Sequence, residues 1–99
     1  ERDDENLYEF NIGSKLADKL MSLKKPPTAI FCINDMMALG VMRSLQSQGV
    51  HIPEDVSVMG FDNMPISDMV TPALTTIDQS TREIGSKAIE LLLKSFEIL

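Results

Sequence analysis

Two pairs of polar residues interrupt an otherwise apolar part of the chain, and their chemistry suits ligand binding. Asn34 and Asp35 follow one short apolar run, and Asp62 and Asn63 follow another. Carboxylates accept hydrogen bonds from hydroxyl and amine groups, and carboxamides both donate and accept them. Brought together, such side chains would bind a small polar molecule.

The segments that carry these residues have the pattern of a strand, a helix and a second strand. Residues 28–33 and 56–61 are rich in β-branched and aromatic residues, and near-continuous apolar runs are typical of strands covered on both faces. The intervening residues 35–48 have helical spacing, and Gly49 follows them. A connection of this length joins parallel strands, whose carboxyl ends lie at the edge where ligands bind in open sheets.

The remaining segments extend this pattern. A helix is predicted over 11–23, a short third strand over 73–77 and a last helix over 80–96. The first helix has an apolar stripe that predicts its buried face, formed by Ile12, Leu16, Leu20 and Leu23. Together the elements predict an α/β fold with three layers and a mostly parallel sheet.

Composition narrows the class of protein. The 99 residues suffice for one small domain or part of a larger one, and the start at Glu1 instead of Met favours a fragment. The formal net charge is −6. A surface that binds nucleic acid needs a basic face, so this composition argues against direct nucleic-acid binding by these residues. No apolar run approaches a membrane span. Cys32 is the single cysteine and lies in a strand pattern, so a core position and a cytoplasmic location are expected.

Signatures of catalysis are not found in the sequence. It contains neither a glycine-rich phosphate loop nor a nucleophilic serine elbow. His51 is the only histidine, which argues against a metal site. A phosphorylated receiver domain using Asp62 would need a clustered acidic pair early in the chain and a matching lysine at a strand end, and the sequence does not show this set. We therefore expect no catalytic residue, no metal and no cofactor, and a protein that is not an enzyme.

Several residues allow two interpretations. Asp62 would bind ligand or cap a turn at Asn63. Either Asn34 or Asp35 would cap the helix that follows, and Asp35 is interpreted as a cap rather than a ligand group, because capping explains it fully. Tyr8 would be an aromatic platform for a ligand or a half-buried rim residue. A group of apolar residues would belong to the core or to a subunit interface, where methionine is common; it comprises Met36, Leu39, Met64, Met69 and Val70.

Three ordered blocks resemble the effector-binding region of the lactose-repressor/galactose-repressor (LacI/GalR) family. They extend over 27–40, 49–63 and 72–79, and they include Ile-Asn-Asp-Met-Met-Ala-Leu-Gly at 33–40, Pro-Glu-Asp-Val-Ser-Val-Met-Gly-Phe-Asp at 53–62 and Pro-Ala-Leu-Thr-Thr-Ile-Asp-Gln at 72–79. The resemblance extends over roughly 8–93 with the spacing preserved. Periplasmic sugar-binding proteins share the first block and usually lack the other two, so the repressor family is favoured.

The resemblance implies a fold and a function. Residues 1–99 would form most of the carboxyl-side lobe of a periplasmic-binding-protein-like effector domain. A small effector, often a sugar or a purine, would bind between two lobes and allosterically control a homodimeric transcriptional regulator. DNA would be bound only through a headpiece outside this chain. The alternative is a sugar-binding receptor of a transport system.

The resemblance also assigns roles to residues. The ligand-binding residues would be Tyr8, Asn34, Asp62 and Gln79. The dimer interface would contain Met36, Leu39, Arg43, Met64, Met69 and Val70. The last helix, 80–96, would pack on the amino-side lobe.

Overall fold

Three helices and three strands follow one another along the chain in the order that the sequence predicts. The computed structural model describes the backbone of residues 2–98 and the side chains of residues 5–95. In chain order, the elements are α1 (Arg2–Met21), β1 (Ala29–Phe31), α2 (Asp35–Ser47), β2 (Ser57–Phe61), a 3-10 turn (Pro65–Asp68), β3 (Thr75–Ile77) and α3 (Thr81–Ile98). The main difference is that α1 begins well before the predicted residue 11.

The three strands form one parallel sheet in the order β1-β2-β3. Ile30 of β1 pairs with Val58 of β2, and Gly60 of β2 pairs with Thr76 of β3. The prediction of a parallel strand–helix–strand unit is therefore confirmed, and all three strands end at the same edge of the sheet.

The core lies between the sheet and α2. Val41 and Leu45 of α2 and Val56, the residue immediately before β2, are among the largest fully buried side chains. Cys32 is buried in the same cluster, and burial raises the pKa of its thiol to about 11. The thiol is therefore neutral and acts as a small core side chain, as expected.

The opposite face of the sheet is not covered by the described residues, which corrects the prediction of three layers and of strands buried on both sides. Phe31 is 61% exposed and Ile77 is 41% exposed. The reason is that α1 packs against α2 instead of crossing to the other face, while every described side chain of α3, in 81–95, is exposed. The α/β class holds, with one helical layer on a parallel sheet.

Small residues bring α1 and α2 close together. Gly13 and Ala17 are buried, whereas Leu16, expected on the core-facing stripe, is 44% exposed. A Cβ at Gly13 would overlap the carbonyl oxygen of Met37, and one at Gly40 would overlap that of Phe10. The predicted stripe was wrong because the two backbones touch, leaving no room for large side chains at the crossing.

Replacing Gly13 or Gly40 by alanine should reduce the free energy of unfolding by roughly 1–3 kcal/mol, because the added methyl group forces the two helices apart. Urea unfolding followed by circular dichroism measures the change. Gly85→Ala is the matched control. An added Cβ there has nothing within 4 Å on exposed α3, so alanine should stabilise the helix by about 0.5–1 kcal/mol. Equal effects at all three positions would contradict the close crossing.

Candidate functional site

Asn34 stands beyond the end of β1 and starts α2. Its backbone is extended, with φ −152° and ψ 168°, and its Oδ1 accepts a hydrogen bond of 2.8 Å from the amide of Met37. This is the geometry of a helix N-cap. Because the carbonyl oxygen is engaged in capping, the Nδ2 group of the half-buried side chain is the part that can donate to a ligand.

Asp62 follows β2 directly and lies at the same edge of the sheet. Its amide donates to the carbonyl of Ile77 over 2.9 Å, which joins it to β3. The side-chain amide of Gln79 donates to Asp62 Oδ1. Both side chains are half-buried, so the contact orients the carboxylate while leaving part of it accessible.

The edge therefore carries matched hydrogen-bonding groups. Asn34 can donate, Asp62 can accept, and Gln79 can do both. A molecule with several hydroxyl or amine groups fits this set. Tyr8, the fourth predicted ligand residue, lies on α1 with its side chain 67% exposed.

Asp35 occupies a different place from the one predicted. Asn34 is the cap, and the side chain of Asp35 is completely buried. Its Oδ2 accepts from the amide of Met64 at 2.8 Å and from Ser67 Oγ at 2.7 Å, and its Oδ1 accepts from Thr76 Oγ1 at 2.6 Å. The interpretation of Asp35 as the helix cap was thus wrong, because the neighbouring Asn34 caps α2 and leaves Asp35 free to bind two separate segments, the residues after β2 and β3.

The hydrogen bonds keep Asp35 ionised. Burial by itself raises the pKa of the carboxyl group, but hydrogen bonds from Thr76 and Ser67, and from the backbone at Met64 and Phe61, outweigh it and hold the pKa below its ordinary value. The dipoles of these hydrogen-bond donors stabilise the charged form of the buried carboxylate.

A second feature is an apolar groove of about 300 Å³ between α2 and the residues after β2. Four of the predicted interface residues line it, namely Met36, Leu39, Arg43 and Val70, together with Phe10, Met42, Gln46, Ile66 and Thr71. Leu39 is also part of the core, being only 6% exposed. The other two predicted interface residues lie outside the lining: Met64 is half-buried, and Met69 is 78% exposed.

The described residues contain neither a cluster of metal-binding side chains nor a membrane-spanning helix. There, no three His, Cys, Asp or Glu side chains are grouped so that they could hold a metal ion. None of the helices of residues 2–98 combines the length and apolar character needed to span a membrane.

Comparison with known families identifies the fold. The family model of the periplasmic binding protein-like domain matches residues 2–97. The chain belongs to this family.

Individual relatives refine the assignment. The HTH-type transcriptional repressor PurR of Vibrio parahaemolyticus is 46% identical over 90 residues, which are 91% of this chain and 27% of the repressor. A regulatory protein of the LacI family from Chloroflexus aggregans superposes with a TM-score of 0.85 at 36% identity, over 89% of this chain and 32% of that one. The chain thus spans about a third or less of the length of these relatives.

A LacI family transcriptional regulator from Enterococcus faecium, solved with bound ribose, has a TM-score of 0.75 at 34% identity. The match covers 89% of this chain and 32% of that one. The resemblance to the LacI/GalR family carried by the three sequence blocks is confirmed by these similarities.

Three buried polar contacts of this periplasmic binding protein-like domain were missed from sequence, those of Asp35 with Met64, Ser67 and Thr76. One signal was available. Gly60 sits in the middle of a strand, where glycine often marks a close approach, and a Cβ there would overlap Asp35 Oδ1.

Asp35→Asn should lower the free energy of unfolding at neutral pH by roughly 1.5–3 kcal/mol, because hydrogen bonds to a charged acceptor are lost or weakened. Since the folded pKa of Asp35 lies below 3.8, this stabilisation is present above pH 3.8 and disappears as the pH falls through the lower folded value. In urea unfolding over a pH series, the free energies of unfolding of the wild type and of Asp35→Asn should become equal in acid. Asp68→Asn, at an exposed position of the 3-10 turn, should change the free energy by less than about 0.5 kcal/mol. A difference between wild type and Asp35→Asn that stays constant in acid would contradict the assignment.

Proposed function

We propose that this chain is the effector-sensing lobe of a bacterial DNA-binding transcriptional regulator located in the cytoplasm. A sugar or another small metabolite binds at the edge formed by Asn34, Asp62 and Gln79, and its binding allosterically controls operator affinity. DNA is contacted by a headpiece outside these 99 residues. The protein works by binding and not as an enzyme.

The observation that carries this proposal is the shared edge of the two strand ends, with its set of donors and acceptors, in a domain similar to repressors. Ligands of open parallel sheets bind beyond the carboxyl ends of the strands. The similarity to a LacI family regulator with bound ribose supports a polyhydroxylated ligand, and the similarity to a repressor supports a regulator over a transport receptor.

Tyr8 joins the proposed site through the orientation of α1. Gly13 lies against Met37, and Ser44 Oγ donates to Asp18 at 2.5 Å, so α1 and α2 run in the same direction. The amino-terminal end of α1, which carries Tyr8, is therefore directed toward the amino-terminal end of α2, where Asn34 lies. An exposed ring there supports stacking on a ligand face.

Asp62→Ala should weaken ligand binding by roughly 1.5–3 kcal/mol, because a ligand hydroxyl loses a charged hydrogen-bond acceptor. Calorimetry on the intact protein with ribose as the first probe, followed by other free sugars and purine bases, measures this. Asp68→Asn serves as the control, since its carboxylate is exposed on the 3-10 turn and is not one of the proposed ligand-binding groups. Unaltered affinity of Asp62→Ala, or no binding of any of these compounds to the wild type, would contradict the proposed site.

We further propose that the groove beside α2 is the contact between two subunits of a homodimer. Its apolar lining and the exposed Met69 next to Val70 support this, because methionine adapts well to contact surfaces. A two-fold axis would bring the same patch of both subunits together.

Met69→Glu should raise the dimer dissociation constant without unfolding the protein, because the side chain is mostly exposed within one chain. Sedimentation velocity over a concentration series measures the dissociation constant. We expect it to increase by roughly tenfold or more, because the interface would bury a charge without a partner. Leu23→Glu places the same charge on an exposed leucine after α1 and should leave the constant unaltered. Equal dissociation constants for the two variants, or a wild type that is monomeric at every concentration of the series, would contradict the proposed interface.

A further inference from the structure

The two oxygens of the Asp35 carboxylate contact two different parts of the molecule. Oδ1 accepts from Thr76 of β3, whereas Oδ2 accepts from Met64 and Ser67, which follow β2. Both Asp35 and Ser67 have no exposed surface. Three segments distant in sequence therefore meet on one buried charge.

The Oδ1 side leads to the proposed ligand edge. Thr76 Oγ1 donates to Asp35 and accepts a hydrogen bond of 3.1 Å from the amide of Asn63. Asn63 follows Asp62 directly and has a φ of 56°, a left-handed conformation that asparagine tolerates better than most residues. The position of the turn at Asp62 thus depends on Thr76.

The Oδ2 side leads to the proposed subunit groove. Ser67 donates to Oδ2 through its hydroxyl group, and its carbonyl accepts from the amide of Leu74 at 2.8 Å. Its neighbour Ile66 lines the groove, as does Val70. The placement of the residues 64–70 therefore depends on the same carboxylate.

The carboxylate has little room to move. Gly60 of β2 lies so close that a Cβ on it would overlap Oδ1. A shift of Thr76 must then be followed by Asp35, and through Oδ2 by Ser67, since protein interiors are close-packed and transmit strain.

We propose that Asp35 is a positioning residue that couples the Asp62 edge to the 64–70 segment through its two carboxylate oxygens. This role rests on the proposed function, in which the first region binds effector and the second faces the partner subunit. Coupling between two sites is reciprocal, so a change at either region alters the other.

A matched pair of variants at Thr76 tests the coupling. Thr76→Val removes the hydroxyl group with little change of shape, and Thr76→Ser keeps it. The readout is native-state hydrogen exchange of the Ser67 amide in the intact protein. That amide donates to the carbonyl of Met64 and does not contact Thr76. Thr76→Val should speed its exchange about tenfold, the effect of one lost hydrogen bond, while Thr76→Ser should exchange at the wild-type rate.

The same two Thr76 substitutions are then compared in a protein that also carries Asp35→Asn. There the two Thr76 variants should give Ser67 exchange rates within about twofold of each other, because the connecting carboxylate is missing. The amide of Leu45, inside α2, is the reference for global stability. Wild-type exchange at Ser67 in Thr76→Val would overturn the proposal, as would equal acceleration at Leu45. If Asp35→Asn fails to fold, the Thr76 pair decides alone.

This experiment is independent of the ligand. It needs no sugar, so the coupling is supported or rejected whether or not ribose binds. If none of the compounds tested by calorimetry binds, the proposed function is contradicted. The hydrogen-exchange result then still decides whether Asp35 couples the Asp62 edge to the 64–70 segment.

Discussion

The buried carboxylate of Asp35 connects α2, β3 and the residues that follow β2. An ionised group without exposed surface is costly unless hydrogen bonds compensate it, and here donors come from Met64, Ser67 and Thr76. Their directions fix how the chain leaves β2 and where β3 lies. The strand-end edge and the groove beside α2 both depend on this one group.

The second constraint is the approach of α1 to α2 through Gly13 and Gly40. It places both helices on one side of the sheet and leaves Phe31 and Ile77 exposed on the other. It also aligns α1 in the direction of α2, which directs Tyr8 toward the end of the domain that carries Asn34. Close backbone contact thus determines which face is core and where the proposed aromatic contact lies.

Much of the fold could be predicted from the sequence because its signals are local. The apolar runs before Asn34 and Asp62 indicated two strands, and the helical spacing between them required a parallel connection. Both residues consequently lie at one edge of the sheet, as expected. The three ordered blocks added the family, since their spacing reflects the same succession of strand, helix and turn.

The sequence by itself therefore determined the order of elements, the parallel sheet and the edge where polar residues gather. Only the tertiary structure decided that Asn34 and not Asp35 caps α2, that Gln79 orients Asp62, and that Gly13 and Ala17, rather than Leu16, face the core. The physical reason is distance along the chain. Thr76 lies 41 residues from Asp35, and a carboxylate that caps a helix has the same local sequence as one that holds remote segments together.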